Sequence, residues 1–304
     1  MGQKHGVDSR GKGGDVPGSS SIGQKHGGGV IVLGSSSLFD VFPEDCISNI
    51  ISFTSPRDAE LAAILVQKSY GSVWQNFLDS VWEKFLPADY ESLVPPPSRV
   101  FSSKKELYFG LCDHFLIEDG KKSFWLEKAS GKKCVMLAAR ELWITWGKSP
   151  EYWQWISIRE SRFQEISELL NVCAFEMGGG MNTKILSPGT NYSAYVVYKL
   201  RYRRHGLRDL PIQVGVGFKG QEKPKNFICF DESTNIIKEW PRRELMKSER
   251  RKDGWMEAEI GDFFNEGGLS GFDEIEVSIV DITSPNWKCG VIIQGIEFRP
   301  KNNR

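Results

Sequence analysis

The chain has 304 residues, 40% of them hydrophobic and 12% aromatic, which supplies enough apolar side chain for two domains with cores of their own. Lysine and arginine together number 39, and so do aspartate and glutamate, so no overall charge attracts the chain to nucleic acid or to an acidic membrane. The six cysteines are scattered without a C-x-x-C pair, and no apolar run has the length of a signal peptide or a membrane helix. We therefore expect reduced thiols, no metal site, no membrane partner, and a location in the cytoplasm, the nucleus or both.

The first part of the chain changes character once. Residues 1–37 are rich in glycine and serine, a composition that predicts a disordered tail because it cannot bury enough apolar surface. Residues 38–86 then show helical periodicity. Ile47, Ile50 and Ile51 follow the i, i+3, i+4 spacing of one helix face, which predicts a short amphipathic helix.

Two further helices are predicted in the same segment. Ser55 is suited to an N-cap and Pro56 to the first helical position, so a helix should begin there and run through Val66. Apolar spacing predicts a third helix over 74–85, and three short helices predict a small bundle. Residues 87–120 contain three consecutive prolines and one more helical stretch, which predicts a helical linker.

From residue 121 to 304 the apolar period changes towards two. Tyr192, Ala194, Val196 and Tyr198 recur at every second position, and short apolar runs between glycine and proline turns recur to the end of the chain. This pattern predicts an antiparallel β-sandwich or barrel, and the chain as a whole is predicted to be α+β. Residues 161–170 fit a helix and a strand equally.

Motifs for catalysis are weak. Gly215, Gly217 and Gly220 match the dinucleotide-binding pattern G-x-G-x-x-G, but no helical pattern follows that would face a pyrophosphate. Of the four histidines, only His114 and His205 lie outside the predicted tail. The sequence therefore predicts a protein that is not an enzyme and needs no cofactor.

Four tryptophans lie within the thirteen residues 143–155. Trp146 and Trp153 flank a predicted turn, a position from which loops present side chains to ligands. Trp143 and Trp155 are predicted to fill the core between two sheets.

The basic stretch 242–252 is spaced like a split nuclear-import signal. Acidic residues are interleaved with it, so a solvated loop is the favoured interpretation and the import signal stays open.

Two parts of the helical segment resemble an F-box as found in plant proteins: residues 42–51 with 55–59 resemble its start, and 82–87 its end. In that family the helical bundle binds the Skp-family adaptor of a cullin-type ubiquitin ligase. An apolar helix face too large for its own bundle to cover is the kind of surface that packs against a partner helix. The resemblance implies the following contacts with the adaptor: Phe42, Pro43, Ile47, Ile50, Ile51, Pro56 and Val66.

The second half of the chain is similar to the phloem protein 2 lectin domain, in blocks that keep their order over 124–128, 139–147, 152–155, 161–163 and 186–195. An F-box followed by this domain is the arrangement of the B-type phloem protein 2-like family. Relatives bind N-acetylglucosamine oligomers and N-glycan cores, which implies sugar contacts at Trp146, Trp153, Glu257 and Glu259. The boundaries that follow are a tail at 1–37, an F-box at 38–86, a linker at 87–120 and a jelly-roll-like lectin sandwich at 121–304.

The leading hypothesis is a non-catalytic substrate receptor of a Skp–cullin–F-box ubiquitin ligase that recruits glycoprotein targets. The alternative is a free-standing carbohydrate-binding lectin of stress or defence without a ligase role.

Overall fold

The structure is a computed structural model, and it describes residues 46, 49–51, 53–70, 75–93, 100–208, 210–231, 245–268, 273–281 and 285–301. These residues all belong to one compact unit, 43–304. The predicted tail at 1–37 lies outside the described residues.

The helices begin where local chemistry favours a start. They are α1 (Pro56–Tyr70), α2 (Gln75–Glu83), α3 (Tyr90–Leu93) and α4 (Lys104–Cys112). The Ser55 hydroxyl accepts a hydrogen bond from the Asp58 amide at 3.2 Å and donates one to the Asp58 carboxylate at 2.8 Å, so the predicted N-cap is confirmed. The first predicted helix falls mostly outside the described residues, although 46 and 49–51 are helical.

The rest of the described chain is mostly strand. The strands are β1 (Phe115–Ile117), β2 (Lys122–Leu126), β3 (Lys133–Ala138), β4 (Trp143–Ile144), β5 (Trp153–Ile156), β6 (Ile166–Leu169), β7 (Glu176–Asn182), β8 (Thr190–His205), β9 (Ile212–Phe218), β10 (Asn226–Ile228), β11 (Leu245–Met246), β12 (Ser248–Arg250), β13 (Met256–Asn265), β14 (Glu274–Val280) and β15 (Cys289–Pro300). We call residues 115–300 the two-sheet domain.

The strands form a larger and a smaller sheet. The larger sheet runs β1-β2-β3-β15-β8-β13-β12, with β6 also paired to β15 and β5 to β6. The smaller sheet runs β11-β10-β9-β14-β7-β4. Every pair is antiparallel except β10 with β11. The predicted antiparallel β-structure is confirmed, and the segment 161–170 contains a strand, β6.

The main core lies between the two sheets. Tyr192, Ala194, Val196 and Tyr198 of β8 all point into it, as the alternation predicted. Ile275, Val277 and Ile279 of β14 meet them from the other side. A second, smaller apolar cluster covers the opposite face of the larger sheet around Trp125 and Trp255.

The helical segment is attached to this core through aromatic rings. Trp82 of α2 is buried, and its ring centroid lies 5.2 Å from that of Tyr108 in α4. The Tyr108 hydroxyl donates to the backbone carbonyl of Lys128 at 3.2 Å, in the turn between β2 and β3. Lys133 on β3 forms an ion pair with Asp89 at 2.7 Å. Because both rings belong to the same buried cluster as the strands, α2, α4 and the two-sheet domain share one core.

Strand β15 holds the larger sheet together, since it pairs with β3, β6 and β8. Its register against β8 shifts between Ile293 and Gly295, which marks a bulge. A Cβ atom on Gly295 would lie 1.9 Å from the backbone oxygen of Leu137 on β3. Only glycine fits there, because a backbone oxygen in a paired strand cannot move aside.

We expect Gly295→Ala to lower the free energy of unfolding by at least about 3 kcal/mol, because the added methyl group would force β3 and β15 apart. Urea denaturation followed by circular dichroism measures the change. Gly220→Ala is the matched control, since Gly220 also has a positive φ (81°) but no atom within 4 Å of the added Cβ, so it should cost only about 1 kcal/mol. Equal losses in the two variants would contradict the close-contact explanation.

Within the described residues, none of the helices has both the length and the apolar character needed to cross a membrane.

Candidate functional site

An apolar surface is exposed on the helical segment. Ile50, Phe53, Leu61 and Ile64 are all exposed, and Leu61 and Ile64 are three residues apart on α1, so they share a face of that helix. Exposed apolar side chains that share one helix face, as Leu61 and Ile64 do, are typical of a protein-docking surface. We call these four residues the helical patch.

The predicted adaptor contacts divide into three groups. Ile50 is 58% exposed, whereas Ile51 is only 5% exposed and Pro56 is buried. Among the described residues, Ile51 belongs to neither of the two apolar clusters. The remaining predicted contacts lie outside the described part of the chain: Phe42, Pro43, Ile47 and the side chain of Val66.

The tryptophans occupy different positions from those that strand alternation predicted. Trp153 is only 2% exposed and packs against Phe175, with 6.0 Å between ring centroids, so in this conformation its ring cannot stack on a sugar. Trp143, predicted to lie in the core, is 49% exposed, so that prediction is wrong. Trp155 is half-buried and lies under the Arg140 guanidinium at 3.6 Å.

Trp146 is the predicted sugar contact that the structure leaves exposed. Its φ is +59°, a left-handed conformation that turns the side chain out of the strand pattern. The ring lies beside Tyr152, with centroids 5.2 Å apart. Two neighbouring aromatic rings at a turn can present an apolar surface to a ligand.

Glu257 and Glu259 lie on β13 and point to the same face of the larger sheet. They line a cavity of about 240 Å³ together with Tyr195, Lys247, Glu249, Arg299 and Lys301. No tryptophan lines it, so the structure does not bring the predicted acids and the predicted indoles into one cavity. Glu259 accepts a hydrogen bond from the Ser193 hydroxyl at 2.9 Å.

Glu257 also belongs to a buried charged cluster centred on Glu297. The Glu297 carboxylate contacts the guanidinium groups of Arg162 at 3.0 Å, Arg251 at 3.1 Å and Arg299 at 2.9 Å. Glu257 contacts Arg251 and Arg299, each at 2.8 Å. Sequence reasoning missed this cluster and counted Arg251 with the candidate import signal.

Burial of Glu297 by itself would raise the pKa of its carboxyl group. The guanidinium groups of Arg251, Arg162 and Arg299 outweigh burial and hold the pKa below its ordinary value of 4.5. The carboxylate therefore stabilises the fold at neutral pH. This contribution is fully present above about pH 4.5 and is lost as the pH falls through the lower folded value.

We expect Glu297→Gln to lower the free energy of unfolding at neutral pH by roughly 3 kcal/mol, because it leaves buried guanidinium groups with less negative charge. The wild-type chain should lose stability as the pH drops below about 4.5, and the variant should lose less over the same range. Chemical denaturation at several pH values measures both. Parallel pH profiles for the two proteins would contradict the assignment.

Comparisons with known proteins agree with this architecture. The phloem protein 2 family model matches residues 132–300. The Arabidopsis thaliana protein named putative F-box protein PP2-B6 is 69% identical over 316 residues, covering 99% of this chain and 99% of that protein. F-box protein PP2-B5 of the same plant is 55% identical over 314 residues, covering 100% of both chains. F-box protein SKIP3, also from Arabidopsis thaliana, is 50% identical over 273 residues, covering 87% of this chain and 89% of that protein.

A helical segment in front of a phloem protein 2 domain, with relatives of this kind over nearly the whole length, defines an F-box protein with a lectin-like domain. The chain belongs to the phloem protein 2 family, with the PP2-B F-box proteins as its relatives.

Proposed function

We propose that this protein is a substrate-receptor subunit of a Skp–cullin–F-box ubiquitin ligase. Its parts are then a three-helix F-box bundle at 38–86, a linker at 87–120 and a jelly-roll-like lectin sandwich at 121–304. The helical patch supports the proposal most directly, because four apolar side chains are exposed on a segment whose relatives are named F-box proteins. A Skp-family adaptor that covers the patch would remove this apolar surface from water.

The shared core gives the proposal its mechanical basis. Trp82 and Tyr108 fix the helical segment on the two-sheet domain, so a target held by that domain stays at a set position relative to the adaptor. A receptor of this kind accelerates transfer by raising the local concentration of target lysines near the conjugating enzyme. No residue of the receptor then has to act in catalysis, and the work takes place in the cytoplasm or nucleus.

We expect Ile50→Asp to weaken binding of a purified Skp-family adaptor at least about tenfold, because the adaptor would have to bury an unpaired carboxylate. Stability should change by no more than about 0.5 kcal/mol, because the Ile50 side chain is already exposed. Biolayer interferometry with the full-length chain measures binding.

Leu116→Asp is the matched control. Leu116 is an exposed leucine on β1, outside the helical segment, so the same change of charge there should leave adaptor binding as it was. Ile51→Asp is a poorer test, because a charge at this buried position would also destabilise the helices. Full adaptor binding by Ile50→Asp would show that the patch is not the docking face.

For the target, we propose either a glycoprotein or a glycan that contains N-acetylglucosamine. Trp146 supports this half of the proposal, because an exposed indole beside Tyr152 can cover the C–H face of a pyranose ring. Glu257 and Glu259 are the proposed hydrogen-bond acceptors for hydroxyl groups, and they lie in the separate 240 Å³ cavity. Trp153 would have to leave the core to take part.

We expect Trp146→Ala to weaken binding of an N-acetylglucosamine trimer about tenfold, since the ring surface that covers the sugar is lost. Isothermal titration calorimetry of the full-length chain measures the affinity. Trp287→Ala is the control, because Trp287 is another exposed tryptophan. Sugar binding by a chain that fails to bind any Skp-family adaptor would favour the alternative, a free-standing lectin.

A further inference from the structure

A groove crosses the outer face of the smaller sheet. On β7, Gly180 and Asn182 point outwards, and on β14 Glu274 and Glu276 do so, while Ile275 between them points into the core. These residues line a cavity of about 330 Å³. Its size lies at the lower end of the range for ligand pockets, which is roughly 300–1,000 Å³.

Trp143 forms one wall of this groove. A Cβ atom on Gly178 would lie 2.5 Å from Cζ2 of the Trp143 ring, so the indole rests directly on bare backbone of β7. The side chain is nevertheless 49% exposed and lines the cavity. Because Gly178 has no side chain, the ring can lie against the strand, and the exposed part of its surface lines the groove.

The loop after β9 forms the opposite wall. A Cβ atom on Gly215 would lie 2.8 Å from the Pro224 backbone oxygen, and one on Gly217 would lie 3.1 Å from Cγ of Lys223. Glycines at these two positions therefore let the loop fold back onto the sheet, with Lys223 facing Trp143 across the groove. This packing gives the G-x-G-x-x-G pattern a structural role that has no connection with a nucleotide.

The charged side chains of the groove are paired with one another. Lys219 contacts Glu274 at 2.6 Å, and Lys223 contacts Glu276 at 3.1 Å. Together with the side-chain NH2 group of Asn182, whose carbonyl oxygen accepts from the Lys184 amide at 2.9 Å, they offer hydrogen-bond donors and acceptors whose charges cancel. A neutral ligand that carries many hydroxyl groups matches this surface better than an ion does.

A peptide that binds by adding a strand to the sheet fits this groove less well than an oligosaccharide does. Strand β7 pairs with β14 over residues 176–182, and β14 pairs with β9 over 275–280. The backbone groups that face one another between β7, β14 and β9 are therefore already engaged, so recognition over these strands depends on side chains.

We propose that this groove binds a short, uncharged oligosaccharide. The Trp143 indole covers the C–H face of a sugar ring, and the two lysine–glutamate pairs and Asn182 exchange hydrogen bonds with hydroxyl groups. The inference rests on the proposed capture of glycans but assigns a different site, because Trp146 does not line this groove.

The test uses the full-length Trp146→Ala chain, so that the first sugar site cannot contribute. Calorimetry measures its affinity for the trisaccharides of N-acetylglucosamine, glucose and mannose, with trigalacturonate as an anionic probe. At least one neutral trisaccharide should bind, and adding Trp143→Ala should weaken that binding about tenfold. Adding Trp287→Ala instead removes a tryptophan that is also 49% exposed but lies outside the groove, and it should have no effect.

A second variant distinguishes loss of binding from loss of folding. Glu276→Gln in the same background keeps the shape of the side chain and should weaken binding about threefold, because a charged acceptor is lost. Thermal melting shows whether each variant is folded.

Three outcomes would overturn the proposal that this groove binds an oligosaccharide. In the first, the Trp146→Ala chain binds no trisaccharide although the wild-type chain does. Sugar binding would then depend on the Trp146 site and not on the groove. In the second, Trp143→Ala and Glu276→Gln both bind as tightly as the background chain, or the trigalacturonate probe binds best. In the third, the wild-type chain binds no sugar at all, which also removes glycan capture but leaves adaptor binding untouched.

Discussion

Burial of Trp82 against Tyr108 is the contact on which the two-part architecture depends. The rings belong to the same apolar cluster as strands of both sheets, so the helices cannot separate from the two-sheet domain without exposing core surface. The Tyr108 hydroxyl and the Lys133–Asp89 ion pair add polar contacts at the same junction. Packed side chains therefore hold α2 and α4 of this F-box protein at a set position relative to its two-sheet domain.

The two faces of the larger sheet differ in composition. Its inner face supplies the main core, and its outer face carries the charged cluster around Glu297. Three arginines around one buried carboxylate leave Glu257 partly engaged before any ligand arrives. A ligand that needed Glu257 as an acceptor would have to share it with Arg251 and Arg299. In the groove beside Trp143 each glutamate is paired with a single lysine, Glu274 with Lys219 and Glu276 with Lys223.

The fold could be predicted from the sequence wherever one face of an element is apolar. The alternation at Tyr192, Ala194, Val196 and Tyr198 gave the correct inner face of β8, because period two is a local property of a strand. The cap at Ser55 was likewise local. Both predictions depend only on neighbours within a few positions of the chain.

The sites could be predicted less well, for two physical reasons. Strand β4 has only two residues, and the positive φ of Trp146 ends the alternation of side chains between the two faces. Odd or even position along the chain therefore could not decide which tryptophan enters the core. Trp143 stays outside because it rests on Gly178, a contact between strands that the sequence does not reveal. Arg162 and Glu297 are 135 positions apart, and nothing local connects them.

The order of the strands along the chain also affects synthesis. Strand β15 (Cys289–Pro300) pairs with β3, β6 and β8, and it leaves the ribosome after all three. At roughly 5–20 residues per second, about 8–30 seconds pass between the emergence of β3 and the arrival of the strand that pairs with it. During that interval the edges of β3 and β8 are open to mispairing, so chaperone protection of the nascent chain matters most while residues 138–288 emerge.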